Sequence, residues 1–160
     1  GIGRRSLGSE LGMQFTITDG LKLKGAASVG AAHYTANPEL YLTSDDLDQP
    51  LFYGRASLSG YRIPNGPQEA FSIGLEYSDP DYWWMGISFN SFKKSFIQVA
   101  PVTRTKNFYT DSGGFTINGY DESVSRELLQ QEQLPDFSIV NLVGGKSWKI
   151  KNGNGFGAGL

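Results

Sequence analysis

Residues 71–90 read FSIGLEYSDPDYWWMGISFN, and this stretch decides the fold class. Phe71, Ile73, Leu75 and Tyr77 alternate with Ser72, Gly74 and Glu76. A period of two places apolar residues on one face of a strand, whereas a helix would scatter them. Ser78-Asp79-Pro80-Asp81 interrupts with turn residues, and Trp83, Met85, Ile87 and Phe89 then alternate with Trp84, Gly86, Ser88 and Asn90. Two such runs around a short polar connection form an antiparallel hairpin.

The same grammar extends in both directions. Leu11, Met13, Phe15 and Ile17 alternate with Gly12, Gln14 and Thr16, and Thr18-Asp19-Gly20 makes a tight turn. The partner strand sets Leu21, Leu23, Ala27, Val29 and Ala31 against Lys22, Lys24, Ala26, Ser28 and Gly30. A third pair runs from Phe137 to Ile150, turns at Lys151-Asn152-Gly153 and restarts at Gly155. The expected strands are 9–17, 21–35, 69–77, 82–92, 137–150 and 155–160.

Between the hairpins lie two long connections, 36–68 and 93–136. The first is rich in Asp, Pro and Asn and has room for a further strand, Phe52 to Tyr61. The second holds one short helix, Asp121 to Gln133, capped by Asp121 and stopped before Pro135. Structureless connections of this length are rare in compact domains. Short turns alternating with long loops match the two rims of an outer-membrane barrel. Tyr77, Tyr82, Trp83 and Trp84 flank one short turn and Trp148 precedes another, where membrane-interface aromatics would sit.

Composition narrows the alternatives. Gly supplies 21 of 160 residues, and Phe, Trp and Tyr together 13%. So much Gly argues against a helical bundle. A formal charge of −2 offers no basic surface for nucleic acid. The absence of Cys removes disulfides, thiolate metal sites and cysteine nucleophiles, and a single His removes multi-histidine metal centres. Gly1 to Glu10, GIGRRSLGSE, has no apolar run behind its arginines, so no signal peptide is expected there. No run long enough for a transmembrane helix occurs, which leaves transmembrane strands open.

Beyond pattern, particular residues resemble a family. Gly66-Pro67-Gln68, Ser72 through Tyr77 and Asp79-Pro80-Asp81-Tyr82-Trp83-Trp84-Met85-Gly86 resemble TonB-dependent outer-membrane receptors of the Bacteroidetes type. So do Ile97 through Thr105, Gln131-Glu132-Gln133-Leu134 and Leu142-Val143-Gly144-Gly145-Lys146-Ser147-Trp148-Lys149-Ile150. The resemblance covers most of residues 9–150 and is to the C-terminal part of the barrel. It implies an all-β, antiparallel up-and-down meander, a segment of a transmembrane β-barrel with 36–68 and 93–136 as long extracellular loops. Whole receptors of this kind have about 22 strands and a plug. Their implied role is import of a scarce nutrient: an iron chelate, a cobalamin-like molecule or an oligosaccharide. The implied location is the cell outer membrane. The implied partners are outer-membrane lipid, the TonB complex through a plug this chain lacks, and a surface lipoprotein. No energy-coupling box is present, and Phe156-Gly157-Ala158-Gly159-Leu160 resembles a strand cut short, so the chain is expected to be a fragment whose raw sheet edges self-associate. The residues alone leave a second class open: a soluble β-sandwich or small β-barrel that binds a carbohydrate or a protein partner.

Motifs for chemistry are weak. Gly144-Gly145-Lys146-Ser147 lacks the earlier Gly of a phosphate-binding loop, because position 140 is Val. Gly153, Gly155, Gly157 and Gly159 have strict two-residue spacing, which suits a curved strand rather than a dinucleotide fingerprint. Ser44-Asp45-Asp46-Leu47-Asp48 lacks the ligand order of a calcium loop. His33 stands without a second His, and Asp79 and Asp81 flank a turn proline, so no enzyme, cofactor or metal is expected. The candidate ligand-binding residues are Arg104, Tyr109, Phe115 and Tyr120, all in the second long connection.

Overall fold

The computed structural model describes residues 2–111, 113–115, 122–149 and 155–160. They form two antiparallel sheets and two compact units. One unit comprises Gly8–Gly30, Pro67–Ser95 and Pro135–Leu160 and carries most of a six-stranded sheet; the other comprises Gly1–Leu7, Ala31–Gly66 and Phe96–Leu134.

The large sheet uses β1 (Arg4–Thr18), β2 (Leu21–Tyr34), β5 (Glu69–Ser78), β6 (Trp83–Lys93), β7 (Phe137–Lys149) and β8 (Gly155–Gly159), in the order β1-β2-β5-β6-β7-β8. Residues opposite each other in an antiparallel pair share a face, so the registers assign the two sides. Leu23 faces Leu75, Leu75 faces Ile87 and Ile87 faces Leu142. The adjoining ladders are Gly25, Ile73, Phe89 and Val140, and Leu21, Tyr77, Met85 and Gly144. This is the apolar side. On the other side run Lys24, Gly74, Ser88 and Asn141; Ala26, Ser72, Asn90 and Ile139; and Ser28, Ala70, Phe92 and Phe137.

Turn chemistry holds the registers. Gly20 has φ 91°, a left-handed conformation that costs other residues, and its carbonyl accepts the Ser78 N–H at 2.8 Å. At the β5–β6 turn, Asp79 Oδ1 accepts from the Asp81 N–H at 2.8 Å while its Oδ2 accepts the Tyr77 hydroxyl at 3.0 Å. The Asp79 N–H also donates to the Trp83 carbonyl at 2.8 Å. One aspartate therefore fixes the turn that Pro80 begins, with Tyr82 at φ 63°.

The second unit is built differently. β3 (Glu39–Leu42) and β4 (Leu51–Arg55) pair as a two-stranded sheet, with a register shift between Leu40 and Tyr41. Two 3₁₀ turns, Val102–Arg104 and Lys106–Phe108, and the helix α1 (Glu122–Leu128) follow. Ala56, Leu58, Tyr61 and Val99 form a small core, with Tyr34 packed against it and Ile63 also buried. Thr105 is buried too, and its hydroxyl is satisfied by the Val102 carbonyl at 2.8 Å. Ala56 bridges to Thr105, and the Ser57 N–H donates to the Arg104 carbonyl at 2.8 Å.

These observations correct the barrel reading. β1 and β8 stand at opposite ends of the strand order, so the large sheet is open; six strands do not close a barrel of receptor width. The chain is not a simple up-and-down meander either, since β2 pairs with β5 and the intervening β3 and β4 make a sheet of their own. The connections 36–68 and 93–136 are not free extracellular loops but supply the buried residues of the second unit. The expected outer-membrane location, and contact with lipid, with TonB and with a surface lipoprotein, depended on that barrel and fall with it. Among the described residues no helix is long and apolar enough to cross a membrane. The helix ends at Leu128 rather than running on to Gln133, because Gln131, Glu132 and Gln133 turn to bond the neighbouring segments. Asp121 and the Asn152-Gly153 turn lie outside the described residues.

Candidate functional site

The polar side of the large sheet carries a groove. Its floor is made by small residues, Gly12, Ala26 and Ala70, and its rim by Glu10, Ser28, Ser72, Asn90 and Phe92. The hollow is about 420 Å³. The space arises because the ladder positions beside Ser72 and Ser28 carry methyl groups or hydrogen where longer side chains would fill the sheet surface. Ser72 also lines a second hollow of about 230 Å³ with Lys24, Gly74, Glu76, Gly86, Ser88 and Val143.

The polar groups are ordered by one another. Ser72 Oγ donates to Asn90 Oδ1 at 2.8 Å, and Asn90 Nδ2 donates to Ser88 Oγ at 3.3 Å. Ser28 Oγ donates to Glu10 Oε1 at 3.4 Å. Lys24 and Glu76 form an ion pair, and the hydrogen bond from Lys24 holds the Glu76 carboxyl below its ordinary value of 4.5. The Phe92 and Phe137 rings meet with centroids 5.1 Å apart, stiffening the aromatic end of the groove.

The apolar side is open. Ile73 is 55% exposed, Ile87 48% and Leu142 70%, and Leu11, Met13, Phe15, Ile17, Leu75, Met85, Phe89 and Val140 are exposed as well. Met13 lies beside Gly25, where a Cβ would approach its Cγ to 3.3 Å, so β1 continues the same surface.

The residues nominated from sequence fall elsewhere. Tyr77 and Trp83 meet with centroids 5.0 Å apart at the β5–β6 turn. Tyr82 lies under Lys149 Nζ, 4.7 Å from the ring centre, and Trp84 packs over Gly145. Trp148 stacks on Phe156 at 5.7 Å. These aromatics lie near strand ends of the open sheet. Arg104 is in the second unit, where its guanidinium donates to the Leu129 and Ala100 carbonyls and to Thr103 Oγ1 and lies 5.4 Å from the Tyr61 ring centre. Tyr109 ends the second 3₁₀ turn, and the exposed Phe115 closes a turn on Asp111, its N–H bonded to Asp111 Oδ1 at 2.9 Å. Tyr120 lies outside the described residues.

Sequence reasoning missed Arg126 and Gln131. Arg126 lies 5.2 Å from the same Tyr61 ring and donates to the Ser57 and Ser59 carbonyls. Gln131 accepts from the Arg62 N–H at 2.7 Å and donates to the Arg62 and Ile97 carbonyls at 2.8 Å. Only the polar amide and guanidinium near a Pro-ended segment hinted at either. Among the described residues no group of three or more His, Asp and Glu is placed to hold a metal.

The fold and the two sheet faces thus define an antiparallel β-sheet protein with one mixed polar surface and one apolar surface. Set against protein-family models, curated proteins and solved structures, the chain matches none. The resemblance to TonB-dependent receptors therefore has neither a family match nor a closed barrel behind it.

Proposed function

We propose that the chain is a noncatalytic binding module whose six-stranded sheet joins a protein partner through its apolar face. One observation carries this reading: the contiguous surface from Leu11, Met13, Phe15 and Ile17 across Ile73, Leu75, Met85, Ile87 and Phe89 to Val140 and Leu142 is uncovered. Sheets bury such a face against a second layer about 10 Å away. All eleven of these large apolar side chains are between 42% and 70% exposed on one face, the kind of surface that a stable protein interface, burying about 800 Å² per partner, covers. The opposite face is mixed: it carries an ion pair and Ser–Asn bonds, with Phe137, Ile139 and Val143 exposed along β7.

Site-specific photo-crosslinking tests this in cells. A benzophenone side chain at position 87 or 142 should give the same protein adduct, and one at position 88, on the other face, should not. Adducts to lipid alone at 87 and 142, or equal protein adducts on both faces, would overturn the proposal.

A further inference from the structure

The groove on the polar face has a chemistry that partner docking through the other face does not use. We infer that it binds a neutral saccharide. The hollow of about 420 Å³ falls within the range of small-ligand sites. Its rim offers the three things a sugar ring needs. Glu10 is an acceptor for ring hydroxyls, and its Oε1 is oriented by Ser28 at 3.4 Å. Asn90 is a second polar anchor: its carbonyl oxygen is engaged by Ser72 and one amide hydrogen by Ser88, which fixes the amide and leaves its other N–H for a ligand. Phe92, backed by Phe137, supplies an aromatic wall for the C–H face of a pyranose.

Charge sets the ligand class. Among the described residues, Glu10 is the sole ionisable group lining the hollow. An anionic ligand, such as a sugar phosphate, would meet a carboxylate with no cation on the same rim, whereas a neutral polyol meets an acceptor. The floor sets the size: Gly12, Ala26 and Ala70 keep the ring close to the backbone, and a longer side chain at position 26 would occupy the same space.

Saturation-transfer NMR on the full chain with maltose, cellobiose and lactose, and with glucose 6-phosphate as the charged control, tests this. At least one neutral disaccharide should bind, with a shift at the Asn90 side-chain amide, and glucose 6-phosphate should not. Phe92→Ala should weaken binding by roughly tenfold or more. Ala26→Leu, which removes no polar or aromatic group, should abolish it while leaving amide dispersion unchanged. No transfer to any of the neutral sugars, equal binding of the phosphate, or Ala26→Leu binding like the parent would overturn the assignment. None of these outcomes bears on the crosslinking pattern of the apolar face, so the two proposals fail separately.

Discussion

Leu58 and Leu142 make a matched test of where the hydrophobic core lies. Both are leucines, yet Leu58 is 1% exposed and Leu142 is exposed on the open sheet. Truncation to Ala removes three carbons, each worth about 0.8 kcal/mol when fully buried, so roughly 2.4 kcal/mol of transfer energy is lost at Leu58. The cavity left among Ala56, Tyr61 and Val99 adds to this, for a total of about 3–4 kcal/mol. At Leu142 less than a third of the side chain is covered, and the same arithmetic gives about 0.7 kcal/mol with no cavity. All three tryptophans, Trp83, Trp84 and Trp148, belong to the unit with the large sheet, so their fluorescence in urea follows Leu142→Ala. Amide exchange at Ala56, whose N–H is bonded to the Pro38 carbonyl at 2.8 Å, and at Ser57 follows Leu58→Ala. A loss below about 1 kcal/mol at Leu58, or equal losses at the two sites, would refute the placement of the core.

Three further outcomes are expected. Gly20→Ala puts a side chain into a left-handed conformation and against the Ser78 carbonyl, so the tryptophan-monitored urea midpoint should fall by the equivalent of about 2 kcal/mol or more. Glu76 is held below its ordinary value by Lys24, so the pair stabilises above pH 4.5 and its contribution is lost as pH falls through the depressed value. Both groups are more than a third exposed, so water screens them: Glu76→Gln should cost under about 1 kcal/mol at neutral pH and almost nothing at acid pH, read from paired melts. Gln131→Leu strands the Arg62 N–H and two carbonyls, and about 1–3 kcal/mol of protection should disappear from the Arg62 amide in hydrogen exchange.

Parts of this structure are visible in the residues. The alternation of Phe71, Ile73, Leu75 and Tyr77 underlies β5, and Asp79-Pro80-Asp81 carries its own turn chemistry. What alternation cannot say is whether an apolar face is covered. The same leucines serve a membrane wall, a sandwich or an open sheet, and only the observed strand order separates these. The second unit was illegible for another reason. Among the described residues its core is Ala56, Leu58, Tyr61, Ile63 and Val99, apolar residues isolated in a polar background. Its struts are side chains on backbone carbonyls, such as Arg104 on Leu129 and Arg126 on Ser57, which leave no periodic trace. Arg104, nominated from sequence as a ligand-facing cation, is hydrogen-bonded to the chain around it. The groove leaves no trace in the sequence because Gly12, Ala26 and Ala70 acquire meaning only once the register sets them beside Glu10, Ser28 and Asn90.

The amide of Gln131 has a consequence in time. It ties Arg62, 69 positions earlier, and Ile97, 34 positions earlier. During synthesis the β5–β6 hairpin, closed by a short turn, can form within microseconds of its emergence. The segment holding Leu58 and Tyr61 leaves the ribosome well before Gln131. At roughly 5–20 residues per second, it must wait several seconds for the amide that fastens it. The segment with Leu58 and Tyr61 therefore precedes the hairpin in sequence yet is fastened after the hairpin can close, and through that interval the nascent chain carries an unfinished core.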